Sequence, residues 1–246
     1  MILDPCVPWW AYPIVVVDFE TTGVDPLACQ AVSVAAVRLE RGRVRGEFYS
    51  LLDPGVPIPA EASAIHGVTD EAVRGAPELA DVAIELYRLG VGALPAAYNG
   101  EAFDKPILHR AIVGTDCPLF EPLQPWLDPL VMIREIDRYV AGPGRHKLAA
   151  TCARWGVPMA EGAAHNALED VRAVGRLLAE LVRLDKVRPD VSLGRMLDYI
   201  ALKRTEQEAN FQAYRAREAA KAAQCELQLE DTTDAARAEE SRGADA

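Results

Sequence analysis

Ile14-Val15-Val16-Val17-Asp18-Phe19-Glu20-Thr21-Thr22-Gly23 is the stretch on which the fold turns. Its first four residues are β-branched and apolar, the composition of a buried strand. Asp18 and Glu20 follow, two positions apart. Alternate side chains of an extended chain share one face, so the two carboxylates point the same way and Phe19 points back into the protein. Like charges side by side on the end of a core strand repel, and burial raises the cost to the order of several kcal/mol if nothing neutralises them. A divalent cation held by oxygen ligands relieves the repulsion; so does a strand end that opens into a solvated acidic turn.

Two more acidic segments lie downstream. Asn99-Gly100-Glu101-Ala102-Phe103-Asp104 follows the apolar run Ala93 to Tyr98, and His165-Asn166-Ala167-Leu168-Glu169-Asp170 opens a helical pattern. Together with Asp18 to Gly23 they resemble, in order, the three exonuclease motifs of the DEDD superfamily in its histidine (DEDDh) subclass. That family includes the proofreading epsilon subunit of bacterial replicative DNA polymerase, RNase T and oligoribonuclease. Ile65-His66-Gly67-Val68-Thr69 and Lys147-Leu148-Ala149 resemble further family segments, and the likeness runs over residues 13 to 185.

The resemblance implies an RNase H-like α/β fold: a mixed central sheet, antiparallel in its first three strands and flanked by helices, followed by a C-terminal helical extension. It also implies a metal-dependent 3′–5′ exonuclease that releases nucleoside 5′-monophosphates. Asp18, Glu20, Asp104 and Asp170 would hold two Mg²⁺ or Mn²⁺ ions, and His165 would be the general base. Phe19, Thr21, Thr22, His66 and Asn99 would contact the terminal nucleotide or support the site. Hard oxygen donors suit those ions, and an imidazole titrating near pH 6.5 suits proton transfer near neutrality. The expected partners are single-stranded nucleic-acid 3′ ends, DNA in the first instance. A DNA polymerase or other replication protein could dock through the C-terminal extension. Two rival readings keep the fold: a 3′–5′ exoribonuclease of the RNase T or oligoribonuclease type, and a non-catalytic nuclease-like docking module of a replication complex.

Composition sets bounds on these readings. The formal charge is −11 over 246 residues, which argues against a broad electrostatic nucleic-acid clamp but not against a site that grips a few nucleotides through cations. The five cysteines form no CxxC pair and no even framework, so a reduced, cytoplasmic setting is expected. No apolar run approaches the roughly 20 residues of a membrane span, and Met1-Ile2-Leu3-Asp4-Pro5 has no basic segment of a secretory signal.

Punctuation of the chain predicts the remaining elements. Residues 1–12 read as an irregular lead-in whose Trp9 and Trp10 cover the core, 13–188 as the exonuclease domain, 189–225 as a helical extension and 226–246 as a disordered acidic tail. Ala31 to Glu40 and Val44 to Leu52 read as the second and third strands, joined at Arg41-Gly42-Arg43. Thr69 is an expected N-cap, and Pro77 an expected first-turn residue of a helix ending near Gly90. Ala93 to Tyr98 reads as a strand, Glu101 to Val113 as a helix with Phe103, Ile107, Leu108 and Ala111 inward, and Pro125 to Ile133 as a short strand carrying Asp128 as a turn or cap group. Gly142-Pro143-Gly144 lacks the Gly-Lys-Ser/Thr ending of a phosphate-binding P-loop. Lys147 to Trp155 reads as a helix, and so does a segment from Asn166 to Val187 with Val171, Val174, Leu177, Leu178 and Leu181 inward.

Overall fold

In the computed structural model, residues 3–112, 126–160 and 165–243 are described. The expectations for Val113, Cys117 and Pro125, for 162–164 ahead of His165, and for the last three residues of the tail fall outside them. Three antiparallel strands come first: β1 (Ile14–Thr21), β2 (Ala31–Glu40) and β3 (Arg43–Leu51). The turn at Arg41-Gly42, with φ of 49° and 77°, joins β2 to β3; both residues lie in the left-handed region that tight hairpins require. The fourth strand, β4 (Leu94–Ala96), pairs parallel with β1, giving the order β3-β2-β1-β4. It is shorter than the expected Ala93 to Tyr98.

β1 is central, and its apolar residues divide by parity. Ile14 and Val16 join Ala35, Val37 and Leu39 of β2 in one cluster with Val171, Val174 and Leu178 of helix α7 (Ala167–Arg183). Val15, Val17 and Phe19 face the other way, against Val82, Ala83 and Leu86 of α3 (Leu79–Gly90) and Ile107 and Leu108 of α4 (Asp104–Ile112). A helix layer therefore covers each face, which is why the strand reads as a continuous apolar run rather than an alternating one. Asp18 and Glu20 continue the parity of Ile14 and Val16, on the side that α7 covers. The architecture is the RNase H-like mixed sheet flanked by helices.

Three local expectations are corrected. Helix α1 (Ala60–His66) precedes them in the chain and is ended by Gly67 in the left-handed conformation at φ 75°. Helix α2 (Asp70–Val73) does have Thr69 as its cap, with Oγ1 accepting from the Ala72 amide at 3.3 Å. Pro77 is not a first-turn residue: α3 starts at Leu79, where the Asp81 carboxylate accepts from the Glu78 amide at 3.0 Å. The segment to Ile133 is not a strand. Only Leu127 bridges to Ala96; Asp128 then caps α5 (Pro129–Ile136), accepting from the Leu130 amide at 3.0 Å, with Pro129 at the first position. An acid followed by proline is a helix start, and that outweighed the apolar composition. Helix α6 is Leu148–Arg154.

The third correction is C-terminal. Helix α8 spans Leu193–Gly243 and so continues through most of the stretch whose composition suggested disorder. Ala, Glu, Arg and Gln favour helix even without an apolar face. Two compact units divide the chain, Met1–Ala201 and Leu202–Ala246. Leu193, Met196 and Ile200 belong to the core of the first, so the body extends past residue 188. The lead-in binds there too: Trp9 is fully buried, its amide donates to the Val191 carbonyl at 3.0 Å, and its indole Nε1 donates to the Arg188 carbonyl at 2.9 Å. Side chains of the second unit are exposed from Glu208 through Lys221. Among the described residues no helix is long and apolar enough to cross a membrane.

Candidate active site

The four acids reach the site from three elements. β1 carries Asp18 and Glu20 at its C-terminal end. Asp104 opens α4, where the helix dipole favours an anion, and its Oδ1 accepts from the Phe19 amide at 3.2 Å, so the two motifs are tied directly. Asp170 lies in the first turn of α7, which Asn166 caps by accepting from the Glu169 amide at 3.2 Å. His165 stands just before that cap with φ 66°, a left-handed conformation rare for a residue with a side chain. Its backbone amide hydrogen-bonds the Asp170 carboxylate.

The cluster is tight. Ligand atoms of Glu20, His165 and Asp170 all lie within 4.8 Å of one another. Asp18 is pushed well above the usual carboxylate range by burial first, then by repulsion from Asp104, Glu20 and Asp170 in turn. Glu20 is raised to about 8 by burial and by Asp170 and Asp104. Burial also raises Asp104, against the opposing hydrogen bonds from the Phe19 amide and its own. Asp170 rises to about 6, burial outweighing the His165 amide. Four carboxylates converge that cannot all hold charge without a compensating cation. The solvated acidic turn is therefore not what terminates β1.

The remaining candidates divide. His66, last residue of α1, lies beside the Thr21 backbone and feels the charge of His165. Its Nδ1 accepts from the Val68 amide at 3.0 Å, and its buried Nε2 makes no hydrogen bond to the protein. Burial is the main reason its pKa is lowered. Phe19 turns its ring into the core and can meet a substrate only through its backbone. The threonine hydroxyls are engaged in the turn: Thr21 Oγ1 donates to the Gly23 carbonyl at 2.6 Å, and Thr22 Oγ1 accepts from the Gln30 amide at 3.0 Å. Asn99 adopts φ 75° and is exposed, and its backbone amide, not its side chain, is anchored, to Asp128 Oδ1 at 3.0 Å.

Two contributions to the site's framework carry no mark in the sequence: the link from Asp128 to Asn99 and the reach of Arg110. Asp128, buried, both caps α5 and holds the Asn99 amide, and its charge adds to the repulsion felt by Asp104. Its cap role was legible; its link to Asn99 was not, because the two meet only through the pairing of β4 with Leu127. Arg110 of α4 donates to the carbonyls of Pro26, at 2.7 Å, and of Cys29, and so holds the loop that follows the first motif. No local sequence signal marks it.

The chain is similar to known proteins over most of its length. Residues 15–178 match the RNase T family, described as exonuclease. A DNA polymerase III subunit epsilon-like protein of Rhodobacter capsulatus is 36% identical over 188 residues, which cover 74% of this chain and 25% of that protein. DNA polymerase III PolC-type of Streptococcus thermophilus is 31% identical over 164 residues, 67% of this chain and 11% of that protein. The chain thus spans a quarter or less of the length of these relatives. Among solved structures, Exonuclease X in complex with 5′-overhanging duplex DNA superposes with a TM-score of 0.57 at 21% identity, covering 75% of this chain and 99% of that one. Exonuclease I gives 0.59 at 18% identity, covering 76% and 43%.

Proposed function

Since the chain belongs to the DEDD-type exonuclease family, we propose that it hydrolyses the terminal phosphodiester at the 3′ end of DNA and releases nucleoside 5′-monophosphates. The observation that carries this reading is the convergence of Asp18, Glu20, Asp104 and Asp170, with His165 at their edge and burial pushing their carboxyl groups upward. The donor set fits a divalent cation: hard carboxylate oxygens, crowded, with too few protein cations beside them. Two Mg²⁺ or Mn²⁺ ions on these four carboxylates would neutralise the phosphodiester and stabilise the departing 3′ oxygen.

The protein's own groups supply the rest. The imidazole of His165 takes a proton from the attacking water as its oxygen bonds to phosphorus and the bond from phosphorus to the 3′ oxygen breaks. The hydrogen bond between the His165 amide and Asp170 sets the backbone from which that imidazole projects. Asp104 is held through the Phe19 amide, so the end of β1 and the start of α4 keep one geometry. His66, beside the Thr21 backbone, would border the terminal nucleotide. DNA is favoured over RNA because the similar proteins are DNA polymerase III components. The same likeness supports a replication partner, with the helical residues 202–243 as the proposed docking segment.

The test is a product ladder on matched DNA and RNA oligonucleotides, labelled at the 3′ or the 5′ end, with Mg²⁺, Mn²⁺ or EDTA. The reading expects immediate release of the 3′ label as a mononucleotide, stepwise shortening of the 5′-labelled strand, and no reaction in EDTA. Preference for RNA would favour the RNase T type instead. Inactivity with both ions would leave only a docking module.

A further inference from the structure

Three of the site's groups form a ligand set different in kind from the four carboxylates. Glu20, His165 and Asp170 bring one imidazole nitrogen and two carboxylate oxygens within 4.8 Å of one another. Ligands of one zinc ion lie about 2.1 Å from it, hence roughly 3–4 Å from each other, and small side-chain adjustments close the set to that spacing. The backbone of His165, left-handed and with its amide on Asp170, starts the side chain beside the carboxylate it would share an ion with.

We propose that Glu20, His165 and Asp170 form an inhibitory site for a borderline divalent ion of the zinc class, in which His165 is a ligand instead of a base. This rests on the exonuclease reading above. Mg²⁺ prefers oxygen and leaves the imidazole free. Zn²⁺ takes imidazole readily and binds nitrogen–oxygen sites more tightly than Mn²⁺. Once the imidazole lone pair is on zinc it cannot accept a proton from water. Zinc therefore displaces an activating ion and removes the base in the same event, so trace zinc suppresses turnover against a large excess of Mg²⁺.

The experiment titrates ZnCl₂ alone into metal-free full-length protein by calorimetry, with Cys6, exposed among the described residues, and also Cys117 and Cys225 changed to Ser to remove competing thiols. His165→Asn is the comparison, because asparagine tolerates the left-handed backbone; its melting curve establishes that it folds. We expect one site per chain, at least about tenfold weaker in His165→Asn, while Mn²⁺ binding followed by electron paramagnetic resonance changes by less than about threefold. Asp170→Asn weakens both ions. Equal zinc affinity in the protein with and without His165 overturns the inference, and so does zinc binding no tighter than Mn²⁺. Full Mg²⁺-dependent turnover at saturating zinc overturns it as well. Absence of nuclease activity with Mg²⁺ alone would instead count against the exonuclease reading, since the zinc titration needs no substrate.

Discussion

The backbone amide of Phe19 donates to Oδ1 of Asp104 at 3.2 Å, across 85 positions of sequence. It ties the strand that carries two acids to the helix that carries a third. Asp104 thus has an anchoring role as well as a charge, and the two can be separated. Asp104→Asn keeps an acceptor oxygen for the Phe19 amide but removes the charge. It should fold as well as the parent and lose at least about a hundredfold in turnover with Mg²⁺. Asp104→Ala loses the acceptor too and leaves a buried amide unpaired, at a cost of about 1–3 kcal/mol. Melting curves beside oligonucleotide assays separate the variants. An Asp104→Asn protein that degrades DNA at the parental rate would remove Asp104 from the metal site.

Crowding of the acids makes stability depend on pH and on metal together. Glu20 is raised to about 8 and Asp170 to about 6 in the folded chain. A carboxyl whose folded pKa lies above its unfolded one binds more protons when folded, so its stabilising contribution is full below pH 4 and is lost as pH climbs through the folded value. The metal-free protein should therefore melt at progressively lower temperature between pH 5 and 8. Millimolar Mn²⁺ should restore more stability at pH 8 than at pH 5, because the ion replaces the missing protons. Glu20→Gln, which needs no counter-ion, should melt a few degrees above the parent at pH 8 without metal and gain less from Mn²⁺. Differential scanning calorimetry across that range checks both trends; a metal-free melting temperature that rises from pH 5 to 8 contradicts them.

The sequence was most informative where local chemistry and tertiary role coincide. The β-branched run before Asp18 announced a buried strand, and the core clusters divide its residues between two faces. Asp104 and Asp170 sit in first turns of helices, where dipole and cap favour an acid anyway; only their order along the chain gave them meaning. Asp128 shows the opposite case. Its cap character was readable, but that it also holds Asn99 depends on Leu127 bridging to Ala96, a long-range pairing with no local trace. Thr21 and Thr22 enter the substrate reading only by resemblance, and their hydroxyls hydrogen-bond within the turn.

Arg110 provides a test of how much the loop after the first motif matters. It reaches from α4 to the carbonyls of Pro26 and Cys29, while Asp25 Oδ1 accepts from the Leu27 amide at 2.9 Å inside the loop. Removing the guanidinium leaves the acids and His165 untouched but frees the loop that borders them. Arg110→Ala should raise KM for oligonucleotides several-fold with a smaller change in kcat, and Arg110→Lys should recover only part of the loss because it cannot reproduce the two-armed contact. Steady-state kinetics decide the matter. A fall in kcat with KM unchanged would mean that the loop acts on the acids, not on substrate binding.

The lead-in can be tested apart from the chemistry. Trp9 is fully buried, its indole Nε1 donates to the Arg188 carbonyl at 2.9 Å, and the amide of Leu193 donates to the Val7 carbonyl at 2.8 Å. The lead-in and the start of α8 thus hold one another against the sheet face that Ile14 and Val16 share with α7. Trp9→Ala removes a large ring from that cluster and should cost about 3–5 kcal/mol, lowering the melting temperature by roughly 6–20 °C for a body of this size. Asp18 lies at the other end of β1, about 13 Å from Ile14 at the usual strand rise. Turnover per folded molecule should therefore be unchanged well below the new melting point. If Trp9→Ala melts like the parent, the pairing with 188–193 is not what holds the lead-in. If it melts early and is also inactive while folded, the far end of the sheet is coupled to the acids through β1.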